Sequence, residues 1–150
     1  MKPVIGITMG DAAGIGPELI LKTLNDKEVF KKCTPVIIGN YKLLSKLYLI
    51  LKDKKLLSDM NLVMVDSYEK LKSCIDSDNS DILVFDDFGI DLSDIKIGRV
   101  NAVCGKASIL YISRVADLIG KGIIDGTCSA PQTKKQLTWQ VFTSTGKQNI

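Results

Sequence analysis

Short apolar runs alternate with longer segments of helical spacing from one end of the chain to the other. Val4-Ile5-Gly6-Ile7 reads as a buried strand, and Leu19-Ile20-Leu21-Lys22-Thr23-Leu24 as the body of a helix. Pro35-Val36-Ile37-Ile38-Gly39, Leu62-Val63-Met64-Val65 and Asp81-Ile82-Leu83-Val84-Phe85 are further strands. Tyr41 to Leu57 reads as a helix with Leu43, Leu47, Ile50 and Leu51 on its apolar face and Lys42, Lys46, Lys52, Lys54 and Lys55 elsewhere. Tyr68 to Cys74 is only a charged segment before the polar loop Asp76-Ser77-Asp78-Asn79-Ser80. From Ala107 to Lys121, Leu110, Val115, Leu118 and Ile119 give a helix closed by Gly120 and Gly122, and Asp125 to Ala130 is the last strand. Strands that alternate with helices at these spacings predict an α/β fold, a largely parallel sheet with helices on both faces.

The first strand runs into Gly6-Ile7-Thr8-Met9-Gly10-Asp11-Ala12-Ala13-Gly14-Ile15-Gly16-Pro17-Glu18, a strand-to-helix turn. Gly10, Gly14 and Gly16 are expected to allow positive φ angles and close approach of another group, and Pro17 suits a first helical turn. Glu18 sits beside the positive end of the helix dipole and reads as structural. The dinucleotide fingerprint fails here, because Gly14-Ile15-Gly16 is followed by Pro17-Glu18-Leu19. Ligands of parallel sheets gather outside the carboxyl ends of the strands. That puts Gly10, Asp11, Gly14 and Gly16 after the first strand, and Ser129, Pro131 and Lys134 at the end of the last, on one candidate cleft.

Composition narrows the classes. The 150 residues are 45% hydrophobic and 25% charged, ordinary for one globular domain, with a net charge of only +3 spread along the chain. Nucleic acid would call for clustered basic residues, and no stretch has the length of a membrane span. Cys33, Cys74, Cys104 and Cys128 include no C-x-x-C pair, and there is no histidine. They read as buried, reduced thiols in a cytoplasmic protein. Asp87-Phe88-Gly89 is a coincidental kinase tripeptide. Gly105-Lys106 lacks the remaining P-loop residues, since Val100 and Ala107 stand where glycine and Ser or Thr would be needed.

The turn resembles the opening of the 4-hydroxythreonine-4-phosphate dehydrogenase family, a strand followed by Gly-Asp/Glu-Pro-Ala-Gly-Ile-Gly-Pro-Glu/Asp, with Ala12 in place of the usual proline. A second match, in the expected order, is Gly105-Lys106-Ala107-Ser108 and its helix leading into Gly122-Ile123-Ile124-Asp125-Gly126-Thr127-Cys128-Ser129-Ala130-Pro131-Gln132-Thr133-Lys134. The resemblance implies an isocitrate/isopropylmalate dehydrogenase-like architecture of two lobes, a homodimer, NAD and a divalent metal as cofactors, and a small phosphorylated substrate. It also implies oxidation of the substrate's secondary hydroxyl with loss of carbon dioxide, on the route to pyridoxal phosphate. Lys134 matches the family's lysine beyond the proline, with a role near the substrate phosphate or carboxylate, or simply as a solvated lysine. The family's histidine metal ligands have no counterpart in these residues, so the 150-residue chain alone is expected to be inactive.

The resemblance runs over residues 1–137, and residues 138–150 depart from it. Read one base earlier, the codons of Trp139 to Asn149 are compatible with Ala-Gly-Phe-His-Phe-x-Gly-Gln-Thr-Glu, close to the family's continuation. A frameshift near Gln136 to Thr138 is therefore expected. Two alternatives stand beside the pyridoxal-pathway enzyme. One is a dehydrogenase of phosphothreonate or phosphoerythronate, and the other a non-catalytic α/β module that binds an anion at the Gly10 to Gly16 turn.

Overall fold

The computed structural model describes residues 1–77 and 79–131. Lys134 and the segment 138–150 lie outside them. Five strands, β1 (Val4–Thr8), β2 (Thr34–Ile38), β3 (Leu62–Val65), β4 (Ile82–Phe85) and β5 (Gly126–Ser129), form one sheet in the order β3-β4-β2-β1-β5. Every pairing is parallel, and Ile7 is the hub, in register with Ile37 on one side and Cys128 on the other. The central strands β2 and β4 are buried almost throughout, as expected for strands covered on both faces. The edge strands β3 and β5 are not.

Five helices join the strands: α1 (Gly16–Leu24), α2 (Glu28–Lys32), α3 (Tyr41–Asp53), α4 (Tyr68–Asp76) and α5 (Ala102–Gly120). The chain moves one way along the sheet through α1 and α3 and the other way through α4 and α5. Right-handed crossovers therefore put α1 and α3 on one face and α4 and α5 on the other. Leu21, Leu24 and Leu44 fill the first layer, and Leu71, Ala107, Tyr111 and Leu118 the second. The expected fold class is the one observed.

Some boundaries differ from the sequence reading for local reasons. The helix expected to reach Leu57 stops at Asp53, because Lys55 turns left-handed at φ 58° and Leu56 N–H bonds back to the Leu51 carbonyl. Its buried face is Leu44, Tyr48 and Leu51, with Ile50 exposed. The charged segment after Ser67 is the helix α4, capped by the Ser67 hydroxyl and anchored by one buried side chain, Leu71. One anchor in nine residues leaves little periodicity to read. α5 begins five residues earlier than the apolar spacing suggests, since Asn101 caps it by accepting from Val103 N–H at 2.8 Å. The short α2 has no buried residue and left no signal.

Candidate functional site at the carboxyl ends of the strands

β1 delivers the chain to a corner formed with the end of β5. Met9 N–H donates to Ile38 O at 2.9 Å, and Ala130 N–H donates to Thr8 O at 3.0 Å, so the turn after β1 leaves the sheet between β2 and β5. Gly10 then takes φ +71°, and a Cβ there would lie 2.9 Å from the carbonyl oxygens of both Ala130 and Pro131. Gly16 is needed for space: its Cβ would stand 2.7 Å from Met9 O. The positive φ expected for all three glycines is found only at Gly10 and not at Gly16 or Gly14; Gly14 also lacks the expected close approach, since a Cβ there would meet only ordinary contacts near Asp11. Its N–H closes the turn on Asp11 O at 3.0 Å.

Asp11 is buried, and its Oδ1 accepts from Ala13 N–H at 3.0 Å. This Asx turn shapes the loop from within. A second strap holds it from outside, where Gly98 N–H donates to Ala13 O at 2.7 Å. The corner therefore unites Gly10, Asp11, Gly14, Gly16, Ser129 and Pro131. Ser129 is the last residue of β5, and both Ser129 and Pro131 are exposed. The expected position of Lys134 lies outside the described residues.

α1 starts at this corner without a side-chain cap, because Ile15 has no group to offer and Pro17 occupies the first turn. Its first-turn N–H groups and the helix dipole together favour an anion. Glu18 is turned along the helix instead, 2.6 Å from Lys22, in a half-exposed pair of the usual i,i+4 kind.

Sequence reasoning did not single out the polar groups under the same edge. Thr8 Oγ1, Ser108 Oγ and Tyr111 OH are buried and find no hydrogen-bond partner among the described residues. Burial pushes the Tyr111 phenol well above its ordinary pKa, with Asp86 and Cys104 adding to the effect. Burial also raises the Cys104 thiol, and the Asp11 carboxylate reinforces it. Asp86 has a structural task, accepting from Tyr41 N–H at 2.8 Å at the start of α3, where Asn40 accepts from Leu43 N–H and donates to Ile90 O. Beyond β4, Arg114 ties α4, β4 and α5 together. It pairs with Asp87 at 2.9 Å, donates to Tyr68 OH, and stands 5.6 Å from the Phe88 ring centre. Such contacts between distant segments carry no signature in a single sequence.

The cysteines depart from expectation. Cys104 is buried, Cys33 and Cys74 are partly buried, and Cys128 is exposed, because β5 is an uncovered edge strand. All four are free thiols. No group of three or more Cys, Asp or Glu side chains among the described residues could hold a metal ion, and the sequence has no histidine. No helix among the described residues is long and apolar enough to cross a membrane.

Comparison with known proteins matches this fold. A provisionally named D-threonate 4-phosphate dehydrogenase of Oceanobacillus iheyensis is 36% identical over 136 residues, which are 91% of this chain and 38% of that protein. The crystal structure of a 4-hydroxythreonine-4-phosphate dehydrogenase from Burkholderia phymatum superposes with a TM-score of 0.78 at 33% identity, covering 92% of this chain and 39% of the other. The enzyme of the same name from Klebsiella pneumoniae, 24% identical with a TM-score of 0.73, shares the fold and covers 93% of this chain and 40% of its own. The chain thus spans rather less than half the length of the relatives it matches and corresponds to their N-terminal part. The family model for the pyridoxal phosphate biosynthetic protein PdxA matches residues 31–150, and the chain belongs to that family.

Proposed function

We propose that these residues form the N-terminal part of an NAD-dependent dehydrogenase that acts on a small 4-phosphorylated hydroxy acid. The observation that carries the reading is the corner itself: the residues that bear the family resemblance at Gly10 to Gly16 and at Ser129 to Pro131 meet at the carboxyl ends of β1 and β5. There the uncapped start of α1 offers N–H donors to a phosphate or carboxylate. Gly10 and Gly16 keep the backbone close enough to Ala130 for one anion to touch both loops.

In the reaction, the carbon bearing the secondary hydroxyl gives up a hydride and the hydroxyl gives up its proton, leaving a β-keto acid that loses carbon dioxide. A nicotinamide cofactor supplies the hydride acceptor when bound. The described residues contribute substrate binding and loop rigidity. A metal would draw its ligands from elsewhere in the homodimer or lobe pair that the family implies. The 150 residues alone are therefore inactive in this reading.

Two substrates compete. The Oceanobacillus relative is named for D-threonate 4-phosphate and the Burkholderia structure for 4-hydroxythreonine 4-phosphate, at similar identity. The test joins residues 1–131 to the remaining length of the Oceanobacillus relative and follows reduction of NAD with each substrate and a divalent metal. NADH formed by the fusion and not by the 150-residue chain is expected. Turnover by the chain alone would overturn its dependence on further residues. An active fusion that loses nothing on Gly10→Val would remove the corner from the site.

A further inference from the structure

Residues 86–101, from β4 to α5, are the longest connection between elements among the described residues and contain neither strand nor helix. Connections of such length are commonly functional. The first part is fixed to the body of the fold. Asp87 pairs with Arg114 at 2.9 Å, the Phe88 ring packs edge-on against Tyr111, Asn40 Nδ2 donates to Ile90 O at 2.9 Å, and Leu92 is buried. The far end is fixed as well, where Asn101 caps α5. Between these anchors, Lys96 to Val100 are exposed without exception.

Among the described residues, one hydrogen bond ties this exposed tip to another segment: Gly98 N–H donates to Ala13 O at 2.7 Å. Gly98 takes φ +81°, and Arg99 N–H closes the tip on Lys96 O at 3.2 Å. Ala13 also donates its N–H to the Asp11 carboxylate, so the tip is pinned to the turn that carries the candidate site. Arg99 stands one residue from the pin and Lys96 two. Neither forms an ion pair with the described residues, although Asp94 lies in the same connection. The corner has no cation of its own among the described residues. Asp11 brings a negative charge, and the nearby Lys22 is engaged by Glu18.

We infer that Arg99, supported by Lys96, is the cationic contact for a phosphoryl group at this corner, and that the Gly98–Ala13 bond is the strap that presents it there. A guanidinium offers two parallel N–H donors to a pair of phosphoryl oxygens, and an exposed arginine without an acidic partner is free to supply them. The inference rests on the proposed reading of the corner as an anion site in a dehydrogenase. It adds the residue that meets the charge. Two molecules in that reading carry the group, the 4-phosphorylated substrate and the pyrophosphate of the nicotinamide cofactor, and one guanidinium serves either.

The experiment titrates NAD and D-threonate 4-phosphate separately into the fusion of residues 1–131 with the remainder of the Oceanobacillus relative, by calorimetry. Arg99→Gln is expected to weaken one of the two ligands at least tenfold at an unchanged melting temperature, and Arg99→Lys to weaken it less. Loss confined to NAD assigns the contact to the pyrophosphate, and loss confined to the substrate assigns it to the 4-phosphate. Inorganic pyrophosphate is expected to slow amide exchange at Gly98 in the 150-residue chain and not in its Arg99→Gln variant, because the bridged anion holds the strap closed. Unchanged affinity for both ligands in Arg99→Gln, a loss that appears only with a lowered melting temperature, or a wild-type fusion that binds neither ligand would overturn the contact. Gly98 exchange indifferent to pyrophosphate would overturn the strap. If the fusion does not fold, residues 86–101 grafted into the intact relative carry the same readouts. NADH formation is scored separately: an Arg99-dependent affinity without turnover removes the proposed activity and leaves the contact, whereas turnover with KM values unchanged in Arg99→Gln removes the contact alone.

Discussion

Gly10 faces the carbonyl oxygen of Ala130 at a distance that leaves no room for a side chain: a Cβ on Gly10 would lie 2.9 Å from it. The contact fastens the turn after β1 to the end of β5, and both partners are backbone, so neither can swing aside. Gly10 also holds φ +71°, which costs an L-residue about 1–2 kcal/mol. Gly10→Ala is therefore expected to destabilise the chain by roughly 2–4 kcal/mol once the overlap is added. Gly14→Ala, with φ outside that region and a Cβ in ordinary contact, should cost about 1 kcal/mol or less. Urea denaturation of the two variants checks the ranking, and equal losses would refute the role given to the Gly10–Ala130 contact.

Asp11 separates a structural carboxylate from a ligand-binding one. Its Oδ1 is occupied by Ala13 N–H inside the loop, and the residue is only 4% exposed. Asp11→Asn keeps an oxygen acceptor and should cost little. Asp11→Ala leaves a buried N–H without its partner and should cost about 1–3 kcal/mol. Stability of both variants, with substrate affinity measured in the fusion protein, decides the matter. A loss of affinity in Asp11→Asn at full stability would show that the charge itself meets the ligand.

Asp87 carries a pH signature. Its carboxyl is held above the ordinary carboxylate value because burial outweighs the attraction of Arg114. A folded-state pKa above the unfolded one means that the native chain binds this proton more tightly. The stabilisation from this group is thus fully present below the unfolded pKa and is lost as pH rises through the folded one. Asp87→Asn does not titrate, so the stability of the wild type relative to the variant should fall as pH rises through and above the ordinary carboxylate range. Denaturation curves across that range measure the difference. A rise with pH would mean that the Arg114 ion pair dominates and that the carboxyl lies below its ordinary value.

Much of this protein was legible along the chain. Hydrophobic runs at Val36 and Ile82 mark strands because a strand buried on both faces must be apolar throughout. The glycine turn was legible because steric exclusion at Gly10 and Gly16 restricts which residue can stand there. Even the side of the sheet on which the corner lies followed from strand direction in a parallel sheet. Tertiary structure alone decided the rest. It separated Gly14 from Gly10 and Gly16, since φ and close approach depend on where the β5 carbonyls sit. It buried Thr8, Ser108 and Tyr111 together under one edge, and it brought Arg114 to Tyr68 and Asp87 across more than 25 positions. It left Cys128 and the isoleucines of α5 exposed although their residue types predict burial. Burial is a property of what packs against a surface, and a sequence pattern records only that a surface is apolar.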